Sequence, residues 1–363
     1  MMRSIARFTR RSALLGLLCG LVALAVSSPV AAAEAKQKFK IAWTIYVGWV
    51  PWDYGETSGI IKKWADKYGI EIEVVQLNDY VESINQYTAG AFDGCVMTNM
   101  DALTIPAAGG VDSTALIVGS FSNGNDGIVL KGKSDLAAIK GQSVNLVELS
   151  VSHYLLARAL ESIGSSEKDI TVVNTSDADI VSAAASDDVT ALVTWNPQLA
   201  EIAKMPDAHI VYDSAKTPGE IIDLMVVNTE MLAANPAFGK AMAGAWYEIM
   251  SIMTKNDEAG LAARTNLAKV SGTDLAGYDS QLKTTRLFSS AADAVAFTQS
   301  ADVQKTMKSV AKFSFEHGLL GEGAGSEDFI GIGYPGGAVT GDKGNVKFRF
   351  DDTYMKMAAE QKL

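Results

Sequence analysis

The strongest constraint on the fold is a repeated alternation of short apolar strands with helix-spaced runs, punctuated by glycines, which starts twice. The first series opens with the strand Lys40 to Trp43. It continues with a helix from Ser58 to Tyr68 carrying Ile60, Ile61, Trp64 and Ala65 on one face, and a strand from Glu71 to Gln76. A helix from Tyr80 to Ala89, capped by Asn78 or Asp79, leads to a strand from Gly94 to Met97. The loop Thr98 to Asp101 then enters a helix closed by Gly109 and Gly110, and a strand follows from Thr114 to Val118. Ser122 to Gly127 is turn-rich and reads as a crossing segment. The second series runs from Ile128 to Tyr212, and Ile222 to Val227 reads as a strand returning to the first body. Helices dominate from Pro236 to His317, the glycine-rich run from Gly318 to Gly344 reads as a long loop or flap, and a last helix spans Asp351 to Gln361. Chains of this pattern build α/β sheets covered by helices. The expectation is two lobes, residues 34–126 with 223–363 and residues 127–222, hinged about a cleft.

The turn after the first strand is unusually aromatic. Ile41 to Tyr54, IAWTIYVGWVPWDY, places Tyr46, Trp49 and Trp52 within a few residues. Each ring left in water forfeits about 2 kcal/mol of burial energy. The stretch therefore packs on the body or encloses a ligand, and the carboxyl edge of an open sheet is where α/β proteins place ligands.

Residues 1–33 have the pattern of an export signal. Arg3, Arg7, Arg10 and Arg11 precede an apolar run from Ala13 to Val26 and the small residues Ala31 to Ala33. The Arg10-Arg11 pair fits a twin-arginine signal, and an ordinary secretory route fits as well. Removing the segment takes four arginines and no acids from a chain whose net charge is already -11. So acidic a protein is a poor ligand for nucleic acid. It would keep a single cysteine, Cys95, so no internal disulfide is available and stability must come from a core. The expectation is a soluble, exported, periplasmic monomer.

Several segments carry a family resemblance. SDLAAIKGQSV, ELSVSHYLLARALESIG and ALVTWNPQ resemble substrate-binding proteins of ABC importers, in the nitrate, taurine and alkanesulfonate group. IAWTIYVGWVPWDYG, NDYVESINQYTAGAFDGCVMTNMDALTIPAAGGVD and FSNGNDGIVLKG resemble a narrower branch assigned to urea or guanidine binding, which accompanies a urea or guanidine carboxylase. The resemblance implies a two-lobed type II periplasmic binding fold that closes on its ligand, ABC permease and ATPase partners, and no cofactor.

The residues themselves point to the polarity of the ligand. Anion-binding relatives need positive donors, and a helix amino terminus beside Ser150 and Ser152 could supply some. Glu148 precedes that terminus, and no Lys or Arg occurs in the segments 45–57, 98–101, 123–127 or 194–198. An anion there would face Glu148, Asp101 and Asp126 at about 4 kcal/mol for each close like-charge contact. A guanidinium ion suits the set, because its paired N–H donors match carboxylates and its faces stack on rings. Asp101 and Glu148 are the candidate acceptors, Asp223 a further one, Ser150 a polar neighbour, and Tyr46, Trp49, Trp52 and Trp195 the candidate aromatic walls. Urea, and then a nitrate-, taurine- or sulfonate-type anion, follow as alternatives.

Each assignment has a plainer counterpart. Asp101 alternatively caps a helix, Glu148 faces solvent, Trp195 is a core ring, Asp223 pairs with a lysine, and His153 is a hydrogen-bonded structural residue. The run from Asn123 to Gly127 resembles a calcium loop but lacks its closing Glu, so no metal is expected. An enzyme related to thiamin-pyrimidine chemistry is the competing class. The sequence has no nucleophile elbow, zinc-protease pair or phosphate loop to support it, and Cys95 falls within a strand.

Overall fold

The computed structural model describes residues 36–363, so the expected export signal lies outside them. A first sheet has nine strands. Lys38–Trp43 pairs in parallel with both Glu71–Gln76 and Gly94–Thr98, because the helices Ile60–Lys67 and Tyr80–Thr88 carry the chain back between them. Asp79 caps the second of these helices, its side chain accepting from the Glu82 amide. Gly94–Thr98 is buried on both faces, as expected of an interior strand with helices on either side. Ile222–Asn228 returns to this sheet and lies antiparallel between Gly94–Thr98 and Ser113–Ser122.

A second sheet has five strands, in the order Thr171–Asn174, Ser143–Leu146, Ala191–Trp195, Asp126–Lys131, Ala208–Asp213. Register fixes which residues meet where the chain crosses between the sheets. Asp223 stands opposite Thr98 on one side and Ser120 on the other. In the second sheet Asp126 stands opposite Trp195. All of these positions are strand ends next to the crossing segment.

Four local expectations change. The aromatic turn is partly helical, because Pro51 sits at the first position of the helix Pro51–Thr57, where its missing N–H costs nothing. Residues 98–101 are not a loop: Thr98 ends a strand, and the helix Asn99–Ala102 runs on into a π-helical turn, Leu103–Ala107, that accommodates Pro106. The glycine-rich run is not a free flap. Its strands Gly331–Gly333 and Val339–Thr340 join Val346–Phe350 at the edge of the first sheet. Two of its glycines serve close packing: a Cβ on Gly331 would lie 2.1 Å from the Asp342 carbonyl oxygen, and one on Gly341 2.2 Å from that of Ile330. A short strand, Thr285–Leu287, also interrupts the helical region and pairs with residues 120–122.

The core contains Trp43, Trp52 and Trp246, and Trp52 stacks on Trp246 with ring centroids 4.8 Å apart. Cys95 is fully buried, and burial pushes its thiol up to about 12, so it is a neutral core group. Among the described residues no helix is long and apolar enough to cross a membrane.

Candidate ligand-binding site between the two sheets

A small cavity lies where the two sheets meet. Tyr46, Trp49, Tyr80, Thr98, Ile221 and Asp223 line it from the first sheet and its connections, and Asp126, Val151 and Trp195 from the second. Its volume is about 10 Å³, room for roughly one water molecule. Four rings form a continuous wall. Tyr46 tilts against Trp49 at 4.8 Å, Trp49 stacks on Tyr80 at 5.6 Å, and Tyr80 meets Trp195 edge-on at 5.6 Å.

Carboxylates supply the polarity. Asp223 accepts from Tyr46 Oη (2.9 Å) and Ser120 Oγ (2.6 Å), both onto the same oxygen. Asp126 accepts from Ser122 Oγ at 2.5 Å. Asp101 does not line the cavity. It sits directly behind the wall, accepting from Tyr80 Oη (2.6 Å) and Thr98 Oγ1 (2.7 Å), and so orients the Tyr80 ring. All three carboxylates are at most 3% exposed.

Burial without a cationic partner shows in their proton affinities. Burial raises Asp126 to about 7, opposed by the Ser122 hydroxyl and reinforced by the charges of Asp223 and Asp101. It raises Asp223 to about 7 against the hydroxyls of Ser120 and Tyr46, and Asp101 to about 6 against those of Tyr80 and Thr98. No lysine or arginine is among the described residues lining the cavity. Arg158, seven residues beyond Val151 on the same helix, is committed to Glu220 and Glu161.

The candidates proposed from sequence separate into two groups. Tyr46, Trp49, Trp195 and Asp223 line the cavity, and Asp101 backs it. Glu148 is exposed, and its amide is tied to Asn174 Oδ1 at 3.0 Å; the chain turns away there, so its side chain does not enter the cavity. Trp52 lies against Trp246 in the core, because the helix Pro51–Thr57 carries it away from the cavity wall. Ser150 is a buried helix cap, accepting from the Ser152 amide and donating to the Val147 carbonyl; the next residue, Val151, is the one that lines the cavity.

Five lining residues, Tyr80, Thr98, Asp126, Val151 and Ile221, were not among those candidates. The sequence placed Asp126 among the acids that an anion would face, though not as a ligand contact, and Tyr80 as the start of a helix. The available signal for Asp126 was its place at the first residue of a strand leaving the crossing segment. Tyr80 offered no comparable signal.

These sheets and the buried pocket between them define a protein with the two-lobed α/β fold of periplasmic binding proteins. Among solved structures, the alkanesulfonate-binding protein SsuA from Xanthomonas axonopodis pv. citri, bound to MOPS, is similar over 80% of this chain and 96% of that one, with 18% identity and a TM-score of 0.65. The periplasmic nitrate-binding protein NrtA from Synechocystis PCC 6803 is similar over 90% of this chain and 89% of its own, with 11% identity and a TM-score of 0.66. The periplasmic aliphatic sulphonate binding protein SsuA from Escherichia coli is similar over 79% and 94%, with 18% identity and a TM-score of 0.64. Comparison with curated proteins gave no match. Residues 54–258 match the NMT1/THI5-like family model, and the chain belongs to that family.

Proposed function

We propose that the protein is an exported solute-binding protein that captures a small cationic, nitrogen-rich ligand, guanidinium before others, between its two lobes and delivers it to an ABC permease with its ATPase. The observation that carries this reading is the pair of buried carboxylates, Asp126 and Asp223, facing one cavity with Asp101 behind and no basic residue on its walls. A cation resolves that arrangement, because it replaces like-charge repulsion with charge-assisted hydrogen bonds. A nitrate or sulfonate would add a third negative charge to the cavity. The cavity, with room for about one water molecule, would have to widen even for guanidinium, which favours the smallest ligands, and the ring wall suits a planar ion with a weakly hydrated face. Solute-binding neighbours of the same fold and the pattern of an export signal support a periplasmic binding role. The division into residues 34–126 with 223–363 and residues 127–222 belongs to the same proposal, closure bringing Asp126 and Trp195 against Asp223 and Tyr46.

Urea is the second reading, and one observation favours it. Trp49 Nε1 is buried on the cavity wall without a hydrogen-bond partner, and a carbonyl oxygen could accept from it. Calorimetric titration of the signal-free protein with guanidinium chloride, urea, taurine and nitrate in matched buffer separates these readings. Saturable heat with guanidinium, and weaker or no heat with the others, is expected. Binding of nitrate or taurine alone would overturn the cationic site, and binding of urea alone would keep the cavity and remove the cation.

A further inference from the structure

Two of the protein's three histidines meet one glutamate, and none of the three lines the aromatic cavity. His153 lies in the first turn of the helix Val151–Ser162, and Glu167 opens the short turn Glu167–Asp169 that follows it. Both belong to the connections of the second sheet. His317 ends the helix Ala301–Glu316, which packs against Asn99–Ala102 at the end of a first-sheet strand. One donor atom from each of the three residues lies within 4.8 Å of the others.

The hydrogen bonding around this cluster is incomplete. His317 Nε2 is 2.6 Å from Glu167 Oε2, a hydrogen bond when that nitrogen is protonated, and His317 Nδ1 donates to the Phe313 carbonyl oxygen 2.8 Å away. This is the outer-sphere arrangement that holds metal-ligating histidines in place. His153 is 5% exposed, and its Nε2 contacts Glu167 Oε1. The two form an ion pair when the imidazole is protonated, yet neither atom has a hydrogen-bond partner. A buried nitrogen and carboxylate oxygen without hydrogen bonds are costly, and an ion that both bind after moving apart would satisfy each.

We infer that His153, Glu167 and His317 form a site for a divalent transition-metal ion of the zinc class, spanning elements of both sheets. Two imidazole nitrogens and one carboxylate oxygen match zinc, which takes three protein ligands and leaves a fourth position for water. Calcium and magnesium prefer all-oxygen sets, and soft monovalent copper prefers sulfur. The fourth position opens on a cavity of about 340 Å³ lined by Glu167, His317, Arg158 and Lys312, from which solvent can enter. One rearrangement accompanies binding. The Leu149 amide donates to His153 Nδ1 at 3.1 Å, which places the ring proton on Nε2. Coordination moves that proton to Nδ1 and releases the amide to water, a movement open to Leu149, which is 42% exposed with a φ of 61°. Because the ligands come from both sheets' elements, the bound ion favours the closed arrangement by mass action.

The test is titration of the chelator-treated, signal-free protein with zinc chloride, and separately with cobalt chloride followed by visible absorption. One saturating equivalent of zinc and the visible bands of a four-coordinate cobalt site are expected. Both should weaken at least about tenfold in His317→Gln and in Glu167→Gln, with melting curves establishing that the variants fold. Zinc retained at full affinity by both variants, no saturable zinc in the parent, or calcium binding as tightly as zinc would each overturn the site. None of these outcomes depends on guanidinium binding, which is measured on the same samples and should persist in both variants.

Discussion

Tyr46 and Asp223, 177 residues apart in the chain, are joined by a 2.9 Å hydrogen bond from the phenol to the carboxylate. That bond fixes the aromatic turn after the first strand to the strand that returns from the second sheet. Ser120, next in register, donates to the same carboxylate oxygen. Between them lies Gly48, where a Cβ would stand 2.7 Å from Tyr46 Cε1 and 3.2 Å from Ser120 Oγ.

Gly48→Ala should therefore displace the Tyr46 ring and loosen its hold on Asp223. We expect guanidinium affinity to fall about tenfold and stability by about 1–3 kcal/mol, the usual range for overpacking. Calorimetry and denaturant unfolding measure the two effects separately. An alanine accepted with neither change would mean that the turn moves freely and does not position Tyr46.

Asp126→Asn should act in opposite directions on binding and on stability. Removing one charged partner from a desolvated ion pair costs about 2 kcal/mol or more, so guanidinium affinity should drop at least about 30-fold. Without ligand the substitution relieves repulsion between Asp126 and Asp223, and unfolding at pH 8 should become harder by on the order of 2 kcal/mol. Paired melting curves with and without guanidinium read both. A variant destabilised in the absence of ligand would show that Asp126 has a structural partner rather than a repelling neighbour.

Binding and stability should also depend on pH with opposite signs. Asp126 and Asp223 titrate near 7 and Asp101 near 6 in the folded protein, above the carboxylate value of 3.8. Between about 4 and 7 the folded state then holds more protons than the unfolded state, so the contribution of these groups to stability falls as pH rises through that window. A cation favours the ionised carboxylates, so guanidinium affinity should rise from pH 5.5 to 8 and binding should release protons. Calorimetry in two buffers of different ionisation enthalpy counts those protons. Affinity independent of pH would place the ligand elsewhere.

Two substitutions distinguish cavity from surface and core. Glu148→Gln should leave guanidinium affinity within about twofold, since the side chain is exposed. Trp52→Ala should cost about 3–5 kcal/mol of stability through the cavity left beside Trp246, as large core truncations do. A large binding loss in Glu148→Gln would require the second sheet's edge to rotate Glu148 inward on closure.

Much of the architecture was legible from local signals. The strand from Glu71 to Gln76 appears with those bounds, and Asp79 and Ser150 cap the helices they precede. Strand periodicity, caps and glycine stops act within a few residues, so they survive in the sequence. The glycine-rich run misled for a related reason. Composition registers freedom of the backbone, whereas Gly331 and Gly341 are needed where two backbones approach each other.

The sequence by itself determined the alternation of strands and helices, the two series with a crossing between them, and the lack of basic residues in the segments that reach the crossing. Those properties are set by neighbours in the chain. Only the tertiary structure decided which acids face the cavity. Glu148 and Asp126 are both acids beside strand ends, yet one projects into solvent and the other is 3% exposed opposite Trp195. The difference arises from register across two sheets, which brings Asp126 and Asp223 to one cavity through pairings 69 and 103 residues apart, distances over which no local propensity acts.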